Sequence, residues 1–262
     1  MAIDIDRYAH IESTLKRWDV RFKIASLGVF ILAVALLDTL PMAFAALGAA
    51  IVALRAAKLP REFVRNGVQF VMVFLVPFLL ILPFSYPGES PHRFLGMEFA
   101  YEGLRLGLLI VVKALAIVLT SYAIFGTSRF DVSMIALQRL KCPTVFVQML
   151  LFTYRYIFVF LAELRRMEVA MKARGFVAKG NMRTLKVFGD FIGTLLVRSF
   201  ERTERIYKAM LSKGYQGEFH TLVEFHSQPR DYQKTALAIG TAVVLLALDN
   251  AGWFHRAELG WM

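Results

Sequence analysis

Cysteine is nearly missing from this chain. Cys142 stands alone, so no intrachain disulfide can form, no cysteine-based metal cluster is available and a redox role lacks its chemistry. Five histidines, His10, His92, His220, His226 and His255, form no HExxH pattern and no close spacing typical of a metal site, and are read as scattered surface residues. A phosphate loop is also missing. Gly175 to Gly180 has the right interval, but Asn181 and Met182 stand where Lys and Ser or Thr would be required, so ATP-driven work by this chain would need a borrowed ATPase. The first twenty residues hold no short apolar core and no small-residue cleavage site, and a mature N-terminus is expected there. Acidic residues are few, 20 against 31 Lys and Arg, which gives a formal charge of +11. In so apolar a chain the distribution of that charge matters more than its total, and nucleic acid is not the expected partner.

Apolar residues are abundant. They make up 57% of the 262 residues, with 23 phenylalanines and a mean hydropathy of +0.53, so a bilayer is the expected solvent. The block from Ile24 to Leu54 has Asp38 as its only charge, and one helix of that length would measure about 46 Å against a hydrocarbon core of about 30 Å. Pro41 disfavours helix at Leu40 and suits a new first turn, which predicts a hairpin of two spans, Arg21 to Leu37 and Leu40 to Ala57. A third span is expected over Val68 to Tyr86, kinked or ended early by Pro77 and Pro83. The fourth runs from Leu106 to Phe125 around Lys113, and the fifth from Thr235 to Phe254. Lys113 is costly inside a span, and structural pairing or snorkelling is its expected role. Gly103 with Gly107, and Gly189 with Gly193, have a common helix-packing spacing.

Positive residues set the expected orientation, because those near span ends stay on the cytoplasmic side. Arg7, Lys16, Arg17, Arg21 and Lys23 precede the first span, and Arg55, Lys58, Arg61 and Arg65 follow the second. Residues 127 to 234 hold eighteen more, whereas the loop from Pro87 to Glu102 has Arg93 alone and the tail after Phe254 has Arg256 alone. The N-terminus is therefore expected inside and the C-terminus outside, in a bacterial inner membrane. Pro143 to Ala162 is apolar enough to pass for another span, but crossing would carry the cations that follow to the outside, so it is placed partly sunk in the interface. The expected fold is an all-α membrane protein of about five transmembrane helices: a four-span domain at 1–125, a cytoplasmic module of long amphipathic helices at 126–234 and a last span with a short outer tail at 235–262.

The basic segment repeats itself at an offset of 39 residues. Ala170-Met171-Lys172-Ala173-Arg174-Gly175-Phe176 aligns with Ala209-Met210-Leu211-Ser212-Lys213-Gly214-Tyr215. Each copy has the pattern of a helix C-terminus: helix-forming residues, a cation that complements the dipole, Gly where a left-handed conformation is needed, and an aromatic that packs back. One such end is ordinary in any helix, and two units are too few for a solenoid. A pseudo-symmetric pair of partners offers two like grooves, and one asymmetric subunit can meet both only by carrying the element twice. Glu201, Arg202, Glu204 and Arg205 before the second copy are read as a solvated helix face.

Tyr154-Arg155-Tyr156, Glu163, Arg166-Met167 and Ala170 leading into Ala173-Arg174-Gly175-Phe176 resemble the transmembrane T component of energy-coupling-factor transporters, in particular the cobalt-type CbiQ group. Asp19-Val20-Arg21-Phe22-Lys23 is similar to the family's approach to its first helix, with Val20 where Pro is common. The resemblance implies two coupling helices ending in Ala173, Arg174, Gly175 and in Ser212, Lys213, Gly214, each docking on one of two ABC ATPase subunits that hold ATP and Mg. Arg155, Glu163, Arg166, Met171, Phe176, Met210 and Tyr215 would support them. It also implies a separate substrate-binding membrane subunit of the CbiM type, with room for a small accessory subunit, in a complex that takes up cobalt, or nickel as the nearest alternative. Ser212-Lys213-Gly214 departs from the Ala-Arg-Gly signature, and Lys offers a single flexible charge where Arg offers a planar fork. A membrane enzyme acting on an anionic lipid is the competing reading, but the chain lacks a clustered acid, His or metal constellation to do that chemistry.

Overall fold

The computed structural model describes residues 11–85, 92–94, 97–217, 225 and 227–251. Two compact units divide the chain: residues 137–217 form one, and residues 11–136 with 225–251 form the other. Helices α1 (Val20–Ala35), α2 (Leu40–Ala57), α3 (Arg61–Ser85), α4 (Tyr101–Phe125), α5 (Phe130–Arg139) and α8 (Pro229–Asn250) build the larger unit, α5 running three residues past its limit, and α6 (Thr144–Ala173) and α7 (Met182–Ser212) the smaller. A hairpin of two three-residue strands, β1 (His92–Phe94) and β2 (Met97–Phe99), joins α3 to α4. The chain is an all-α, multi-pass membrane protein apart from this hairpin.

Local chemistry explains the helix limits. The Asp19 carboxylate accepts from the Arg21 amide at 2.9 Å and so caps the start of α1, and it also pairs with the Arg21 guanidinium at 2.8 Å. The hairpin break falls where Asp38 and Pro41 place it, with Pro41 in the first turn of α2. Thr39 does not cap α2 itself. Instead Asp249, at the far end of α8, accepts from the Asp38 and Thr39 amides at 2.8 and 3.1 Å and from the Thr39 hydroxyl. At the other end Lys234 of α8 donates to the Thr14 carbonyl at 3.2 Å, so α1 and α8 run the same course through the bundle. Their shared core includes Phe30, Val34, Leu37, Met42, Ala46, Ala116 and Leu245.

Prolines do not cut α3 short. The helix passes through Pro77 and Pro83 and ends at Ser85, and the Pro83 carbonyl is taken up by the Ala100 amide at 2.8 Å. Neighbouring chain has supplied a partner for a terminal carbonyl, as apolar surroundings require. Gly103 lets α4 lie against that end of α3: a Cβ there would come within 2.5 Å of the Leu82 carbonyl oxygen. Gly107 sits in ordinary contact with Leu79, so this glycine pair does line a helix interface. Gly189 and Gly193 have nothing within 4 Å and line none among the described residues.

Among the described residues four helices, α2, α3, α4 and α6, are long and apolar enough to cross a membrane. The sequence-based set of five differs in three members. α1 has only 16 residues because the turn at Leu36 ends it, and α8 carries Arg230, Asp231, Lys234 and Asp249 near its ends, while residues 252–254 of the expected fifth span lie outside the described residues. α6 meets the measure because its first half is almost free of charge, whereas its cationic surroundings had kept it out of the count. Its upstream neighbour α5 buries Ser133 to Ala136.

Two lysines are drawn into the larger unit. Lys113 donates to the Leu37 carbonyl at 2.5 Å, which is a structural pairing. Lys23 is fully buried and donates to Thr127 Oγ1 at 2.9 Å, to the Ser128 hydroxyl and to the Leu15 carbonyl at 3.5 Å. It fastens the start of α1 to the end of α4.

Candidate functional site

The duplicated helix end is a structural duplication as well. α6 closes on Arg174 and α7 on Lys213, with nearly equal cap dihedrals (φ −86°, ψ 14° and φ −93°, ψ 9°). Gly175 and Gly214 follow with φ of +77° and +81°, a region that costs an L residue about 1–2 kcal/mol. The Gly175 amide donates to Lys172 and the Gly214 amide to Leu211, both at 3.0 Å. The Phe176 amide reaches Met171 and the Tyr215 amide reaches Met210, both at 3.1 Å. These are paired Schellman motifs, matched bond for bond.

What the motif does chemically follows from its geometry. Each cap takes up two orphan carbonyls of its helix and leaves Arg174 or Lys213 exposed on a fixed backbone. Ala173 and Ser212 occupy the last helical positions, also exposed, and the Ser212 hydroxyl donates to the Lys208 carbonyl at 3.0 Å. A Cβ at either glycine would meet nothing within 4 Å, so conformation and not crowding demands glycine there. The interval from Gly175 to Gly180 serves capping at both ends, since Asn181 Oδ1 accepts from the Thr184 amide at 2.9 Å to start α7.

Different neighbours brace the two ends. Phe176 packs edge-on against Phe188 of α7, with ring centroids 5.9 Å apart. Tyr215 donates its hydroxyl to Gln148 Oε1 at 3.0 Å, and Gln148 Nε2 donates to the Gly217 carbonyl at 3.0 Å. Gln148 therefore clasps the second end against the start of α6. It was not among the residues singled out from sequence, and no local pattern marks it.

Glu163 is the second centre. Its carboxylate pairs with Arg198 of α7 at 2.5 Å and with Arg166 at 3.6 Å. Arg198, 35 residues away in sequence, was also missed. Arg155 is exposed two helical turns before Glu163 and is not drawn into this group. Met210 lines a cleft of about 350 Å³ between α6 and α7 with Met149, Phe152, Tyr156, Ile206 and Tyr207. Of the charged run before the second end, Glu204 pairs with Lys208 at 2.9 Å along the helix, and Arg202 turns into the cleft.

The cobalt transport protein family CbiQ matches residues 12–222. The energy-coupling factor transporter transmembrane protein EcfT of Heliobacterium modesticaldum is 26% identical over 261 residues, which cover 95% of this chain and 98% of that one. An uncharacterized protein of Methanocaldococcus jannaschii is 23% identical over 258 residues, 95% of this chain and 87% of its own length. A fused cobalt transport protein, CbiMQ, of Methanocorpusculum labreanum is 26% identical over 180 residues, 68% of this chain and 26% of that protein.

Proposed function

Since the chain belongs to the CbiQ family of cobalt transport proteins, the transmembrane T components of energy-coupling-factor transporters, we propose that it relays motion from two ABC ATPase subunits to a separate substrate-binding membrane subunit. The observation that carries this reading is the matched pair of capped helix ends with an exposed cation on each. A two-fold related pair of ATPases presents two like grooves, and the duplication gives one chain an element for each.

In this reading Arg174 and Lys213 pair with carboxylates in those grooves, while Ala173 and Ser212 permit close approach and Gly175 and Gly214 hold the turn. Arg174 binds through a planar fork and Lys213 through a point charge, so the two contacts are unequal. ATP and Mg belong to the partner subunits. A displacement at either cap travels along a helix of 30 or 31 residues, about 45 Å, and the Glu163 to Arg198 pair makes the two helices move together. Met171 and Met210 supply the carbonyls that anchor Phe176 and Tyr215, and Arg166 steadies Glu163.

The substrate subunit is of the CbiM kind, a pairing supported by the fused relative, and cobalt is the proposed cargo, with nickel the nearest competitor. The cationic loops support a reading in which the N-terminus and the helix ends at Arg174 and Lys213 face the cytoplasm of a bacterial inner membrane. Charge reversal at both ends, Arg174→Glu with Lys213→Glu, followed by ATPase pull-down and cobalt uptake, tests the assignment. Loss of both is expected, and retained assembly with retained uptake would overturn it.

A further inference from the structure

Positive residues next to spans are ordinarily accounted for by topology, and Arg55, Lys58, Arg61 and Arg65 serve that purpose in this chain. Their arrangement goes further. α2 and α3 each pack on α4 and hardly on one another, so a cleft of about 710 Å³ opens where α2 ends and α3 begins. Its walls are Ile51, Leu54, Leu59, Val64 and Val68, and all four cations stand at its edge. Among the described residues none of the four makes an ion pair, and Glu62, the acid in the same connection, is exposed and pairs with none of them.

Lys58 adds a second, independent observation. It caps α2 in the left-handed conformation at φ 53°, a position where glycine would sit free of strain. Strained side-chain-bearing residues cluster where a side chain is needed at that point. The apolar walls continue into the outward-facing surface of both helices, where Val52, Phe70, Val73 and Phe74 are exposed.

We propose that this cleft binds an anionic phospholipid, with its phosphate among Arg55, Lys58, Arg61 and Arg65 and one acyl chain along Leu54, Val64 and Val68. Unpaired cations around an opening between membrane helices match a lipid phosphate in charge, and a greasy floor matches the chain attached to it. A free inorganic anion would gain nothing from that floor. The site lies in the unit of residues 11–136 and stands apart from the energy-coupling reading, so ATPase pull-down has no bearing on it.

Native mass spectrometry of the full chain in detergent, titrated with cardiolipin or with phosphatidylcholine, tests it. The wild type should retain cardiolipin at least tenfold better than phosphatidylcholine, and the quadruple variant R55Q/K58Q/R61Q/R65Q should lose that preference. A control, R183Q/K186Q/R202Q/R205Q, removes equal charge elsewhere and should keep it. Val64→Trp fills the floor with all four charges in place and should weaken cardiolipin retention about fivefold. Unchanged retention in the quadruple or the Val64→Trp variant, an equal loss in the control, or displacement of cardiolipin by millimolar inorganic phosphate would each overturn the proposal.

Discussion

Glu163 and Arg198 meet at 2.5 Å and form an ion pair between α6 and α7, two-thirds of the way along the first helix and halfway along the second. The Glu163 side chain is only 20% exposed while that of Arg198 is 56% exposed, so the pair is better shielded than a surface contact but still wet. α6 and α7 touch each other sparsely, so their alignment rests on this bond together with the Phe176 to Phe188 contact and the Gln148 clasp. Replacing either partner, Glu163→Gln or Arg198→Gln, should cost about 0.5–1 kcal/mol, and the double variant should cost no more than the worse single one. A double-mutant cycle on thermal unfolding of the purified protein checks this; additive losses would show that the pair is incidental.

Fork and point charge should be separable at the two helix ends. Arg174→Lys is expected to weaken ATPase binding about tenfold, and Lys213→Arg to strengthen it, because only Arg can grip a carboxylate through two parallel hydrogen bonds. Dissociation constants for the isolated ATPase on nanodisc-embedded variants decide the matter. Equal effects of opposite sign to these would place the stronger grip at the second end.

Gly175→Ala and Gly214→Ala should each cost about 1–2 kcal/mol through backbone conformation alone, since the added methyl meets open space. Hydrogen exchange should show the loss as fraying of the last turn of α6 or α7, with the larger unit unchanged. A loss spread over the whole chain would contradict the local reading.

Asp249→Ala should destabilise the larger unit by about 1–3 kcal/mol, because it strips three acceptor contacts from the Asp38 to Thr39 turn at once. Asp249→Asn keeps an acceptor oxygen and should cost less. Melting in detergent ranks the two.

Gly103→Ala drives a methyl into the Leu82 carbonyl and should disrupt α3 against α4 by about 1–3 kcal/mol. Gly189→Ala has free space and should be neutral or mildly stabilising in the isolated chain. Melting curves for both variants give the contrast directly.

Features written in adjacent residues were legible from the sequence, and those made by distant residues were not. Pro41 and Asp38 announce the α1–α2 break, and Arg174-Gly175-Phe176 and Lys213-Gly214-Tyr215 announce two helix ends, because a cap is decided by the few residues that form it. The spans were legible in part, since α2, α3 and α4 belong to both sets. Window hydropathy reports composition, so it admits α6 and drops α8, whose end charges are spent on Thr14 and on the α2 cap. Gln148, Arg198 and Asp249 gained their partners only when helices 35 to 211 residues apart in sequence came together, and no periodicity encodes such meetings. Lys23 was read as part of a charged run, yet it is fully buried on hydroxyls and a carbonyl.

The helices of the larger unit differ in length, and the surrounding bilayer must answer to that difference. α2, at 18 residues, measures about 27 Å, whereas α3, at 25 residues, measures about 37 Å. A hydrocarbon layer of about 30 Å exceeds the first and falls short of the second unless that helix tilts. Lipid beside α2 is therefore expected to thin, and lipid beside an upright α3 to thicken. A membrane neighbour with short helices is thus expected to meet less elastic resistance beside α2 than beside α3, before a single side chain is in contact.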